Sequence, residues 1–463
     1  MKITVLNGSP QGNNSITMQY VNYMQMNYPE YEINIVNISQ RIKKIEQDED
    51  TLKGIIDHIK DSDAVLWAFP VYVYLVPAAY KRFIELIWER KLEGVFNGKY
   101  TAALSTSIHF YDSTAHNYVH GIADDLNMKY IGFFSAEMKD LLKDEERKKF
   151  DFFVKDFFDI VERKIPTARK YKPLNYSVPN YKPGNLGKKI DIKNKKVLII
   201  SDSTGNESNL GRMVERFRNS LVGSVELVNL NEVKINGGCL GCMKCALDNK
   251  CVYGDTDSIK ELYNDKIKNA DIIIYAGKIV DRYFSARWKM FMERRFMNTH
   301  QPQMVGKQFG IFISGPLGSI PNLPEILEAD AEISGANLAG IISDEYEDSR
   351  ELDLLIDSFA ERIVNMAENK YVRPITFPGI GGMKVFRDEI WGKLRLPFQG
   401  DHNYYKQHGV YDFPQKDWKV RIFNMFMIPF SKIPKVRENI RSNMRGSALK
   451  PFQKYLDSID KEK

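Results

Sequence analysis

Four cysteines, Cys239, Cys242, Cys245 and Cys251, fall within thirteen residues of the stretch NGGCLGCMKCALDNKCVYGD. A disulfide framework would scatter its cysteines, and a reducing compartment keeps thiols free. Four thiolates on one tight loop suit an iron–sulfur cluster, whose usual shell is four cysteines. An all-cysteine zinc site is the rival, although such sites usually pair two knuckles across a longer separation. Plain thiols without metal are the third reading. Gly237, Gly238 and Gly241 let the chain wrap closely whichever holds.

A second set of chemical residues opens the chain. The β-branched run at residues 2–6 enters Asn7-Gly8-Ser9-Pro10-Gln11-Gly12-Asn13-Asn14-Ser15, and a helical pattern follows. Phosphate is held by backbone N–H groups at the positive end of a helix. Gly8 and Gly12 permit a sharp turn, and Ser9, Asn13, Asn14 and Ser15 add donors. The plain alternative is a polar loop with a serine cap. Further on, Phe69-Pro70-Val71-Tyr72-Val73-Tyr74-Leu75-Val76-Pro77 forms a proline-stiffened segment in which Tyr72 suits a flat heteroaromatic ligand. A tyrosine-rich core loop is the competing reading. A third loop, Ser105 to Tyr111, carries His109, read either as a ligand contact or as a polar loop residue.

These loops need elements to position them, and the elements repeat. KITVLNGSPQGNNSITMQYV near the start is echoed by KKVLIISDSTGNESNLGRMV from Lys195. DSDAVLWAFPVYVYLVPAAYKRFIEL (61–86) is echoed by NADIIIYAGKIVDRYFSARWKMFMER (269–294), and GKYTAALSTS (98–107) by GKQFGIFISGP (306–316). Three matched blocks in one order indicate an internal duplication. In the first copy, strands expected near 2–7, 32–37, 63–69, 100–106 and 130–134 alternate with amphipathic runs. Alternation of that kind predicts βαβ units and a parallel sheet. The expected fold is α/β: two tandem flavodoxin-like domains, each a five-stranded parallel sheet of order 2-1-3-4-5 in a three-layer αβα arrangement. Expected boundaries are 1–168 for the first domain, 169–194 for a Pro/Tyr/Lys/Gly-rich linker, 195–370 for the second domain with the cysteines, and 371–463 for a basic, aromatic, mainly helical or irregular extension.

The residues of the first copy resemble the NADPH-dependent FMN reductase family of the flavodoxin-like superfamily. The GSP-x3-NS pattern at Gly8–Ser15, PVY at Pro70–Tyr72 and the helix bearing Lys81-Arg82-Phe83 carry the resemblance. It implies that the first loop holds the FMN phosphate through Ser9, Gln11, Asn13, Asn14 and Ser15, and that Pro70, Val71, Tyr72 and Val73 contact the isoalloxazine. Ser105 and His109 join them as candidate cofactor-binding residues. The cysteine segment resembles the iron–sulfur flavoproteins of the same superfamily, which implies a 4Fe-4S cluster. Copy two departs from the pattern: its loop, Ser201 to Asn209, carries Asp202 and Glu207, and the PVY position reads Gly277-Lys278-Ile279. A second FMN there is doubtful, because carboxylates repel phosphate. Family members commonly dimerise with the flavin near the interface, which a tandem repeat can reproduce within one chain; a homo-oligomer of the whole chain is also considered.

The function expected is FMN-dependent NAD(P)H oxidoreduction, with NAD(P)H a transient substrate and a flavin, quinone or protein as acceptor, in part through the cluster. The alternative is a non-enzymatic flavin/iron–sulfur electron carrier. No side chain need be the chemical catalyst. No stretch of about 20 apolar residues predicts a membrane span, the N-terminus does not read as a signal peptide, and a cytoplasmic location is expected. The net charge of +6 is uneven: residues 371–463 hold 18 Lys+Arg against 9 Asp+Glu. Nucleic-acid binding has little support. The aromatic, basic run Phe413–Phe430 is expected to pack across the preceding domain, with an anionic membrane surface as the alternative.

Overall fold

The computed structural model describes residues 1–462. Met1–His402 form one compact unit, and the chain from Asn403 forms another. The first half of the larger unit reads β1 (Lys2–Asn7), α1 (Ile16–Asn27), β2 (Glu32–Asn37), α2 (Ile42–Gln47), α3 (Glu49–Asp61), β3 (Ala64–Pro70), α4 (Ala78–Glu89), β4 (Tyr100–Ser107), α5 (Asp112–Asp125), β5 (Lys129–Glu137) and α6 (Asp144–Glu162). Every neighbouring pair of strands is parallel, in the order β2-β1-β3-β4-β5. β3 is buried from Ala64 through Phe69, as a strand covered by helices on both faces must be.

The second half repeats this plan. It comprises β6 (Ile190–Asp191), β7 (Val197–Ser201), α7 (Asn209–Ser220), β8 (Leu221–Val222), β9 (Val225–Asn229), α8 (Cys245–Asp248), α9 (Ile259–Glu261), β10 (Ile272–Lys278), α10 (Ala286–Arg294), β11 (Gln308–Ser314), α11 (Asn322–Ile333), β12 (Asn337–Ser343) and α12 (Ser349–Glu368). The sheet order is β9-β7-β10-β11-β12, again 2-1-3-4-5, while β6 and β8 form a separate two-stranded ribbon. The copies share small irregularities. The register slips between Thr101 and Ala102 against β5, and between Phe309 and Gly310 against β12. The ammonium of Lys99 donates to the carbonyls of Lys60 (3.0 Å) and Ser62 (2.6 Å), and that of Lys307 to those of Lys268 (2.8 Å) and Ala270 (2.6 Å). The α/β fold with two 2-1-3-4-5 sheets is therefore the one read from the duplicated sequence.

The halves share a core. One continuous apolar cluster runs from Trp67 and Phe69 through Phe83 and Tyr118 to Trp288, Phe291 and Tyr275. The outer faces have their own clusters: Met18, Val21, Phe150 and Phe157 pack on the first sheet, and Met213, Phe217, Phe359 and Ile363 on the second. Helices α4 and α10 meet in the middle with a reciprocal exchange. Glu85 accepts from the backbone N–H of Ala286 (2.6 Å), and Glu293 from that of Ala78 (2.7 Å), so each helix is capped by the other. Lys81 pairs with Glu85 at 3.0 Å and Lys289 with Glu293 at 3.1 Å, both lysines being fully buried. K-x3-E at the same place in both copies puts each pair on one helical face.

α13 (Phe377–Trp391) follows the second half, and α14 (Gln399–Gln407) comes next. The remaining unit contains α15 (Trp418–Phe430) and α16 (Pro434–Glu462). None of the residues of α15 is buried. Among the described residues, no helix is long and apolar enough to cross a membrane.

Candidate functional site

At the carboxyl ends of β1, β3 and β4 lies a cavity of about 640 Å³. Open α/β sheets place their ligand sites at this edge. From the first loop, Ser9, Gln11, Asn14 and Ser15 line it, together with Ile16 and Thr17 of the first turn of α1. The loop's shape follows from its residues. A Cβ at Gly8 would lie 2.7 Å from the Tyr80 ring, and Gly12 has φ +57°. Ser9 folds back, its N–H on Asn7 Oδ1 (3.0 Å) and its hydroxyl accepting from the Gln11 N–H (3.2 Å). The Ser15 hydroxyl accepts from the N–H of Met18 (3.3 Å) and caps α1.

Pro70, Val71, Tyr72 and Val73 form the adjoining wall. Val73 and Tyr74 both have positive φ, +45° and +67°, a conformation that β-branched and bulky side chains resist. Cross-links hold the loop there. The Tyr72 N–H donates to Leu75 O (2.8 Å), Thr114 Oγ1 donates to Tyr74 O (2.6 Å), and the buried Lys289 ammonium donates to Tyr72 O at 2.5 Å. Copy two thus fixes the loop of copy one. Burial pushes the Tyr72 phenol well above the ordinary tyrosine value.

Copy two also closes the cavity. Cys239, Gly241, Cys242 and Met243 face into it. Gln11 Nε2 donates to Leu240 O at 2.5 Å, and a Cβ at Gly241 (φ +64°) would fall 1.9 Å from the Tyr72 hydroxyl oxygen. The cysteine loop therefore lies directly on the Pro70–Val73 loop. Glu293 ties them together: its carboxylate accepts from the Cys239 N–H (3.1 Å) as well as from Ala78 and Lys289. Burial raises the Glu293 carboxyl and lowers the Lys289 ammonium.

All four cysteines line a second, small void of about 20 Å³ beside the large one. The Gly241 N–H is directed at Cys239 Sγ (3.4 Å), and Cys245 Sγ lies 3.4 Å from Phe296 O. Burial pushes Cys239 up to about 12 and Cys245 up to about 11. Among the described residues, no group of three or more His, Cys, Asp or Glu side chains is arranged to hold a metal ion.

Three expected contacts sit elsewhere. Asn13 is exposed and is not among the residues facing the cavity. Ser105 is fully buried and pairs with His116 Nε2 at 2.8 Å. His109 is half exposed and bonds Asp112 Oδ2 at 3.0 Å, which raises its pKa; its neighbours Ser107, Ile108 and Phe110 face the cavity instead. Sequence reasoning missed the far wall. His300, held by Asp401 (Nδ1–Oδ2 2.7 Å), packs against Phe386 (4.3 Å) and Phe398 (4.7 Å), and Phe386 packs at a tilt on Phe110 (4.3 Å). Residues 371–463 were expected only as a basic, aromatic, mainly helical or irregular extension, and nothing in their sequence indicates which surface they cover.

The corresponding edge of copy two differs. Its cleft of about 570 Å³ is lined by Glu207, Ser208, Asn209 and Lys278 together with Tyr176, Val178 and Asn180 of the 169–194 segment. That segment occupies the donors of the helix start: Asn209 Nδ2 bonds Pro179 O (2.7 Å), and the Arg212 guanidinium bonds Tyr181 O (2.7 Å) and Asn180 Oδ1 (2.8 Å). Asp202, raised to about 6 by burial, accepts from the Lys278 N–H at 3.3 Å.

No curated protein matches the chain. Solved structures similar to it include the flavoenzyme NAD(P)H:(acceptor) oxidoreductase FerB from Paracoccus denitrificans, at 18% identity, 35% of this chain, 97% of that chain and TM-score 0.31. An NADH:FMN oxidoreductase in its apo form gives 15% identity, 34% and 87% coverage, and TM-score 0.30. An FMN-dependent NADH-azoreductase from Bacillus anthracis gives 12% identity, 35% and 99% coverage, and TM-score 0.26. Residues 1–135 match the family model described as NADPH-dependent FMN reductase. The similarity to the NADPH-dependent FMN reductase family thus lies in the N-terminal part of the chain, over residues 1–135.

Proposed function

We propose that the protein oxidises NAD(P)H through an FMN held by copy one and passes the electrons to an acceptor, with a 4Fe-4S cluster on Cys239, Cys242, Cys245 and Cys251 as the adjoining centre. The observation that supports this most is the common cavity, in which the start of α1 and the Pro70–Val73 loop face the cysteine loop. The residues suit FMN. A helix start capped by Ser15 suits a phosphate monoester, and the rigid Pro70–Val73 wall suits a flat ring system. When bound, FMN supplies both hydride and single-electron chemistry, which makes a cluster a sensible partner.

The chain's own residues bind, orient and shield. Ser9, Gln11, Asn14 and Ser15 anchor the phosphate end. Lys289 and Glu293 hold the strained Tyr72–Tyr74 backbone in place against the cysteine loop. Phe110, Phe386 and Phe398 leave room beside the cofactor for a flat, apolar acceptor or nicotinamide, with the His300–Asp401 pair as the polar contact on that wall. What supports the cluster is the donor set: four thiols line one small void, and four cysteines are the usual cluster shell. Its chemistry would be one-electron transfer.

Anaerobic purification followed by an absorbance spectrum and by iron, sulfide and flavin assays tests the reading. The expected result is FMN bands over a broad iron–sulfur shoulder. A colourless protein would end the flavin assignment, and flavin without iron would end the cluster alone. The exposure of Cys242 favours a second reading, an electron carrier between proteins. Steady-state NAD(P)H oxidation with a small quinone or free flavin separates the two, since a carrier alone would show no turnover.

A further inference from the structure

The chain from Asn403 forms a unit of its own. Within it, α15 runs Trp-Lys-Val-Arg-Ile-Phe-Asn-Met-Phe-Met-Ile-Pro-Phe, with no acidic residue and apolar side chains on every side. A helix of that composition belongs in a protein core or in lipid. Here none of its residues is buried, with Trp418 65% exposed, Phe423 61% and Phe426 58%. At 13 residues it is about 20 Å long, well short of the ~30 Å hydrocarbon layer, so it is suited to lie along a membrane and not to cross it.

The charges beside it select the surface. Residues 418–450 contain eight Lys and Arg against a single acid, Glu438. α16 adds further exposed apolar side chains, Met444, Phe452 and Leu456. Arg437 and Arg441 lie in the same helix. An apolar helix followed by a basic one that carries exposed apolar side chains has the composition of segments that sit in the headgroup region of anionic bilayers. A second copy of the chain fits less well, because it would bring two strongly positive segments together. Nucleic acid offers nothing for Ile422, Met425 and Ile428 to bury against.

We propose that α15 and α16 are a peripheral anchor that seats the protein on a membrane surface rich in anionic lipid. α15 enters the boundary between headgroups and acyl chains, and the basic residues after it meet the lipid phosphates. Each basic side chain brought to such a surface is worth roughly a fivefold gain in binding.

The test is co-sedimentation of the full chain with phosphatidylcholine vesicles made with and without phosphatidylglycerol, at low and high salt. Binding to the anionic vesicles, weakened by salt, is expected. The Arg437→Gln, Arg441→Gln double variant is expected to bind them roughly twentyfold more weakly. Phe423→Ser with Phe426→Ser is expected to lose binding at either salt concentration. NADPH oxidation without vesicles should be unchanged in both variants. Protein that stays in the supernatant with anionic vesicles overturns the proposal. So does self-association that rises with concentration and is abolished by the Phe423→Ser, Phe426→Ser variant, since a second copy would then be what covers α15. The charge variant keeps the test decisive if the apolar one fails to fold.

Discussion

Among single residues, His116 shows how a side chain that makes no contact with the cavity supports it. It is buried behind the third loop, hydrogen-bonded through Nε2 to Ser105 (2.8 Å) and stacked on Phe133 at 4.0 Å. Burial pushes its imidazole down from 6.5 to about 4. A depressed pKa means that the folded chain resists a proton the unfolded chain accepts. The contribution to stability is therefore complete above about pH 6.5, falls as the pH drops towards 4, and is gone below that. The span corresponds to about 3 kcal/mol. Urea unfolding measured across this range should show the decline, and His116→Gln should flatten it; a slope unchanged in the variant would remove His116 as its source. The same scale shows how much of the site the sequence carried. Gly8 and Gly12 could be assigned to a tight turn, because a Cβ at Gly8 would meet the Tyr80 ring and Gly12 has positive φ. Ser105 could not be separated from Ser107, because the two share one face of β4 and only the depth below the strand's end decides which reaches the cavity.

At the level of elements, the α4–α10 exchange is the joint on which the site depends. Glu293 accepts hydrogen bonds from the start of α4, from the cysteine loop and from Lys289, and Lys289 in turn holds the Tyr72 carbonyl. Removing one member of a buried ion pair leaves its partner's charge unmet, at a cost of about 3–5 kcal/mol. Glu293→Gln is expected to lower the urea midpoint accordingly and to loosen FMN, read as flavin lost on gel filtration. A variant of normal stability and full flavin content would show that the joint is dispensable. The strands themselves were readable in advance: β1 and β2 fall where expected, and β3 to β5 within a few residues, because β-branched runs bounded by Gly and Pro mark strands directly. The far wall of the cavity was not readable. Residues 295–303 and 386–398 reach it through contacts distant in sequence, and an apolar helix face does not state what it will cover.

Considered as a whole, the molecule holds two copies of one architecture in different chemical states. Copy one presents an open cavity; copy two presents Asp202 and Glu207 at the matching turn and lays the 169–194 segment over its helix start. The expected outcome is a single FMN per chain, unchanged by Asp202→Asn, because the segment still occupies Asn209 and Arg212. Flavin extraction against protein concentration measures this, and two FMN per chain would contradict it. The duplication was legible because strand and loop motifs recur in order. The covering role of the linker was not, since a Pro/Tyr-rich stretch signals only the absence of regular structure.

The reciprocal caps between Ala78 and Glu293 and between Ala286 and Glu85 also bear on how such an assembly can change. In a pair of identical subunits, every substitution appears twice, and an alteration that ruins one ligand pocket ruins both. Joining the halves in one polypeptide removes that constraint while keeping the contact surface intact. One half can then give up its own ligand and become a lid and a cysteine-bearing arm for its neighbour, so long as the shared seam is preserved.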